Sequence, residues 1–213
     1  TRFTNRLPQW VNEGLAEYFE HTTYINGAIV PGQVGKNELQ RLQQLVRSNT
    51  YFPFIEMMRM SSLQWGQGMK GPRGPDQYLQ AWSMIHFLIH GDGGSHANQF
   101  DRYLMLLSEG MDDEEAFVKA FDTGDLQAFN RAWASHVMNL VPSSTLIAAR
   151  RLSYLAAGMF ELHNKGRTVS SFSELQASLQ SIQYNPTLTL QYEDISFDSG
   201  DSKTFTIPKD SFS

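Results

Sequence analysis

Leu7 to Glu20, LPQWVNEGLAEYFE, decides how the chain is read. Pro8 suits the first turn of a helix, where its missing N–H is not needed. Val11, Leu15, Tyr18 and Phe19 recur at helical spacing and predict one apolar stripe, with Trp10, Glu13, Gly14 and Glu17 on a different face. Two carboxylates one turn apart therefore point the same way. A glycine in a helix interior costs on the order of 1 kcal/mol relative to alanine, so Gly14 beside Glu13 predicts a close approach to the backbone there.

This stretch resembles the second metal-binding helix of gluzincin metallopeptidases, the clan of thermolysin and the zinc aminopeptidases. It is most similar to their peptidase-MA-like bacterial domains. In that clan a Trp-x-Asn-Glu-Gly type motif supplies the third zinc ligand. The resemblance puts that role on Glu13, within Trp10-Val11-Asn12-Glu13-Gly14. The acid one turn later, here Glu17, supports a ligand histidine from outside the coordination sphere, where a carboxylate fixes the imidazole tautomer and raises its basicity. In aminopeptidase-type members a tyrosine opening a later helix donates to the oxyanion of the tetrahedral intermediate, and Tyr78 stands in the matching place. The resemblance implies a peptide or protein substrate and hydrolysis by zinc-activated water.

The chain departs from the pattern in one respect. The clan's first two ligands and its general base come from a preceding His-Glu-x-x-His helix. None of His21, His86, His90, His96, His136 and His163 is followed by glutamate. A catalytic zinc needs about three protein ligands, so Glu13 alone cannot hold it. The chain begins at Thr1, only twelve residues before Glu13. It is therefore read as a fragment lacking the first metal helix, with zinc expected in the intact protein and none bound by the fragment. The alternative is a noncatalytic helical interaction domain on a peptidase-like scaffold, with Glu13 an ordinary solvated glutamate and Tyr78 a half-buried residue at a helix start. His86 and His90 share a helix face, but Phe87 stands where a zincin has its glutamate. Hydrogen bonding inside the core is the expectation for His86.

Composition bounds the rest. With 213 residues, 41% hydrophobic and 12% aromatic, the chain is long enough to bury a core as one domain or one domain with an appendage. A net charge of −5 and the lack of a basic stripe argue against nucleic acid. No apolar run approaches the roughly 18 residues of a membrane span, and Leu146 to Phe160 is interrupted by Arg150 and Arg151. The absence of cysteine suits a cytosolic or a bacterial exported protein alike. Compartment and oligomeric state stay open.

Outward from the first helix, Asn26-Gly27 between β-favouring residues predicts a hairpin over Thr22 to Val30. Lys36 to Arg47 reads as a helix with Leu39, Leu42, Leu45 and Val46 on one face. The methionine-rich stretch Tyr51 to Met60 reads as core or as an adaptable substrate wall. Gly66 to Pro75 reads as a long mobile loop. Asp76 to His90 is an apolar helix capped by Gly91. Further helices end near Gly110, start at the acidic run Asp112 to Glu115, and span Asp125 to Leu140. Beyond Pro142 a helix runs to about Lys165, closed by Gly166, and a short one over Ser171 to Ser181 opens with a Ser171/Glu174 capping box. From Tyr184 the alternation of Leu188, Leu190 and Tyr192, and of Phe205 and Ile207 across an Asp198–Ser202 turn, predicts strands. They either pair on the helical body or belong to a neighbouring domain. The expected fold is mainly α: a gluzincin-like helical region over 1–141, a helical linker over 142–183 and a β appendage over 184–213.

Overall fold

The computed structural model describes residues 7–25, 28–182, 184, 187–190 and 203–206. The fold is mainly helical, with a small antiparallel hairpin after the first helix, and the chain divides into two units, residues 1–143 and 144–213. The first unit runs α1 (Gln9–Glu20), β1 (Thr23–Ile25), β2 (Ala28–Val30), α2 (Lys36–Arg47), α3 (Phe54–Arg59), α4 (Ser62–Met69), α5 (Gly74–His90), α6 (Ala97–Ser108), α7 (Asp113–Phe121) and α8 (Leu126–Asn139).

Helix α5 lies at its centre, and every residue from Gln80 to Leu88 is buried. Polar side chains on such a helix must find their partners in protein. Gln80 accepts from the Phe52 backbone N–H at 2.9 Å, which fixes the entry to α3. Ser83 Oγ donates to the Gln80 carbonyl at 2.7 Å and accepts from Trp133 Nε1 at 3.1 Å, tying α8 to α5. Asp76 pairs with Arg41 of α2.

Helix α1 packs on α5 so closely that a Cβ on Gly14 would lie 2.6 Å from the Ala81 carbonyl oxygen and 2.7 Å from Ile85 Cγ1. This close approach corrects the expected apolar stripe. The buried residues of α1 are Trp10, Val11, Gly14 and Tyr18; Leu15 is only half-buried and Phe19 is 60% exposed. Glycine, contributing no hydrophobicity to a periodicity count, sets the middle of the buried face because it alone admits α5. Pro8 is the N-cap of α1 rather than its first helical residue.

The aromatic core forms around Phe54, whose ring meets Trp10 edge-on at 5.8 Å and contacts Phe117 and Phe129 at 5.6 and 5.4 Å. In α2, Leu39 and Leu42 are buried, while Leu45 and Val46 are half-buried. The expected mobile loop is instead largely helical, since α4 fills Ser62 to Met69 and α5 starts at Gly74. Ser61 and Gln64 make a reciprocal capping box, and the ring of Trp65 is buried. These outweigh the roughly 1 kcal/mol that each of Gly66 and Gly68 costs in a helix. Gly91 does follow α5, but in extended geometry (φ −59°); the left-handed residues of that turn are Asp92, Gly93 and Gly94. In the hairpin Thr23 pairs with Val30 and Tyr24 with Ile29. The predicted turn residues Asn26 and Gly27 lie outside the described residues.

The second unit contains α9 (Ser144–Asn164), α10 (Phe172–Ser181), β3 (Thr187–Leu190) and β4 (Lys203–Thr206). Tyr154, Leu162, Leu175 and Leu179 make its small core. A Cβ on Gly158 would come 2.8 Å from Leu179 Cδ1, so α10 rests on the bare backbone there. Only half of the predicted capping box forms: Ser171 Oγ accepts from Glu174 N at 3.2 Å, but the Glu174 carboxylate reaches Ser170 N, not Ser171 N. β3 and β4 pair antiparallel, Thr187 opposite Thr206 and Leu190 opposite Lys203. The predicted polar turn Asp198–Ser202, with Tyr192 and Ile207, lies outside the described residues. Among the described residues no helix is long and apolar enough to cross a membrane.

The α1–α5 contact predicts that Gly14→Leu lowers stability by at least the ~1–3 kcal/mol typical of overpacking. Ala16→Leu, on the exposed face of the same helix, should stay within about 0.5 kcal/mol of the parent. Denaturant melts of the two variants against the parent check this; equal midpoints for both would show that α1 does not press on α5 in solution.

Candidate functional site

Helix α1 carries Glu13 and Glu17 one turn apart, both half-buried at the margin of its buried face. Gln9, one turn before Glu13, donates from Nε2 to Glu13 Oε1 at 2.6 Å. Its own carbonyl accepts from Ser62 Oγ at 3.0 Å. Because a carboxylate only accepts, the amide's N–H₂ is turned toward Glu13 and its oxygen is left to accept from the Ser62 hydroxyl. Glu17 contributes its backbone carbonyl to His21, accepting from the His21 N–H at 3.1 Å and bonding Nδ1 at 2.8 Å. A carbonyl only accepts, so Nδ1 carries the proton.

Tyr78 sits in the second turn of α5, half-buried, with its ring edge-on to Trp65 at 5.5 Å and 90°. No hydrogen bond to its hydroxyl occurs among the described residues. Ala81, which receives Gly14, lies three residues beyond it. The two helices bearing Glu13, Glu17 and Tyr78 are therefore packed directly together. Among the described residues no three His, Asp or Glu side chains are grouped so as to hold a metal ion.

The histidines are brought together to an extent that sequence spacing did not reveal. His86 Nδ1 lies 3.1 Å from His136 Nε2, on a helix fifty residues further on. The His86 and His90 rings are 4.6 Å apart, and His90 Nε2 meets the Tyr18 hydroxyl at 2.9 Å. Internal hydrogen bonding of His86 agrees with expectation. Burial pushes its pKa down to about 3, helped by His90 and His136, against a hydrogen bond to the Gly32 backbone. Burial also lowers the pKa of His90 and His136.

A half-buried acid emerges from the acidic start of α7. Asp113 accepts from the Tyr103 hydroxyl and from Trp10 Nε1, the latter at 3.3 Å. Burial raises its pKa to about 6, against those two hydrogen bonds and with help from Asp112 and Glu114. Its only trace in the sequence is a buried tryptophan and tyrosine that each need an acceptor.

These features define a helical domain with a carboxylate-bearing helix sealed onto a central apolar one. Residues 1–111, just over half of the chain, match the family described as protein of unknown function DUF1570, and the chain belongs to that family. No curated protein and no solved structure matches.

The two shifted groups act oppositely on stability. The folded chain holds the Asp113 proton more tightly than the unfolded chain, so its contribution is full below the ordinary 3.8 and is lost as pH rises to about 6. The unfolded chain binds the His86 proton more tightly, so its contribution is full above 6.5 and is lost as pH falls toward about 3. Asp113→Asn keeps one oxygen, for Trp10, and turns its amide N–H₂ to the Tyr103 hydroxyl, which can accept, but removes the first slope. Urea melts between pH 4 and 6.5 should show stability rising more steeply with pH in the variant, by at most about 3 kcal/mol over the range. Parallel curves would mean that Asp113 titrates as an ordinary surface acid.

Proposed function

We propose that this chain contributes one metal ligand and one oxyanion donor to a zinc-dependent peptidase site of the gluzincin kind. The observation that carries the reading is Trp10-Val11-Asn12-Glu13-Gly14 on a helix whose glycine lies against α5, the helix that bears Tyr78. Glu13 suits one position of such a site: its carboxylate is half-buried, and Oε1 is held by Gln9. Ligating carboxylates are commonly steadied by such outer hydrogen bonds. The described residues do not supply a three-ligand set. The reading therefore assigns the other two ligands to a His-Glu-x-x-His segment outside these 213 residues.

When bound, zinc would polarise the scissile carbonyl and lower the pKa of a coordinated water. The chain's own part is to hold and orient. Glu13 offers a carboxylate oxygen on a rigid helix, and Glu17 is spaced to steady a ligand imidazole. Tyr78, with its ring braced by Trp65 and no hydrogen bond to its hydroxyl among the described residues, is suited to donate to the oxygen that becomes negative in the transition state.

In a protein carrying both halves of the site, Glu13→Ala should lower zinc content and peptide hydrolysis together. Tyr78→Phe should keep zinc bound and the Michaelis constant nearly unchanged, while turnover falls by roughly 10²–10³. The present chain alone should hold no stoichiometric zinc after chelator washing. Elemental analysis with steady-state kinetics checks all three, and zinc retained in full by Glu13→Ala would sink the reading.

A further inference from the structure

Between the start of α1, the α3–α4 connection and the α6–α7 connection lies a cavity of about 300 Å³. Met58, Met60, Leu107 and Met111 form its apolar wall, and Gln9, Ser61, Ser62 and Asp113 supply its polar groups. The donors of that polar set are largely spent elsewhere. Ser61 Oγ donates to Gln64 Oε1 at 2.8 Å, Ser62 Oγ to Gln9 Oε1 at 3.0 Å, and the Gln9 amide to Glu13 at 2.6 Å. What remains on these side chains is mostly lone pairs, on two hydroxyl oxygens, an amide oxygen and a carboxylate, beside one N–H of Gln9.

Asp113 itself is held only by neutral donors, Trp10 and Tyr103. Among the described residues no lysine or arginine pairs with it, whereas its neighbour Glu114 is paired by Arg59 at 2.9 Å. A half-buried carboxylate without a counter-charge, in a wall of acceptors, excludes anions and favours a cation that can donate several hydrogen bonds. Methionine side chains adapt to an unbranched aliphatic partner.

We propose that this cavity binds a primary alkylammonium group of the kind a lysine side chain carries, with the ammonium at Asp113 and the alkyl chain along the methionines. The three freely rotating N–H donors of an ammonium suit the serine, glutamine and aspartate acceptors of the wall, whereas a guanidinium fixes its five donors in one rigid plane. This inference stands apart from the peptidase reading and needs no metal.

The test is a titration of the whole chain with n-butylammonium, followed by the methyl resonances of Met58, Met60 and Met111. Saturable shifts are expected at these methionines, with n-butanol binding at least about tenfold more weakly, because it lacks the charge-assisted hydrogen bond. Asp113→Asn should cost a similar factor, and Met111→Trp, which fills the cavity and leaves Asp113 intact, should abolish the shifts. No saturation in the parent chain, or butanol binding as well as butylammonium, would overturn the proposal. The comparison of the two ligands on the parent chain keeps the test decisive if a variant fails to fold.

Discussion

A helix buried along its middle cannot leave its polar residues to water, and α5 meets this constraint by using most of them as ties, the buried Trp82 N–H being without a partner among the described residues. Gln80 holds the chain entering α3, Ser83 holds Trp133 of α8, Asp76 holds Arg41 of α2, and His86 holds His136. Removing one partner of such a tie strands a buried polar group, at a cost of about 1–3 kcal/mol. The first unit is therefore organised from its centre outward. Helix α1, tied to α5 by the Tyr18–His90 hydrogen bond, docks above all through shape: an absent Cβ at Gly14 lets two backbones meet where side chains would have kept them apart.

The same burial explains the electrostatics. Three imidazoles share one partly desolvated region around α5: lost hydration opposes a charge on each, and at His86 and His136 the neighbouring histidines oppose it further. Asp113 is the acidic counterpart, kept half-buried because Trp10 and Tyr103 need an acceptor and have no other described one. The two kinds of site pull stability in opposite directions across the same mildly acidic range.

Much of the fold was legible in the sequence, because helices α1, α2 and α5 to α8 each carry a strong apolar periodicity with caps or acidic starts. What was not legible has specific causes. The buried face of α1 turns on Gly14, which contributes nothing to a hydrophobic stripe, so Phe19 was given to the core and is exposed. Helix α4 was hidden by glycines that its capping box and Trp65 overcome. Glu13 and Glu17 are named by a motif and Tyr78 by its place at the start of a later helix, and neither signal shows the Gln9–Ser62 chain that holds Glu13. The pairing of His86 with His136 joins helices fifty residues apart and leaves no local signal.

All four tryptophans of the chain, Trp10, Trp65, Trp82 and Trp133, lie within the first unit, and all are buried. The second unit has none, and its described aromatic pair is Tyr154 on Tyr184, 5.3 Å apart. Emission excited at the red edge of the absorption band, which selects indole, therefore reports the fate of residues 1–143 alone. Melting of the α9–α10 pair passes unseen by that signal and registers only in tyrosine emission or in far-ultraviolet dichroism.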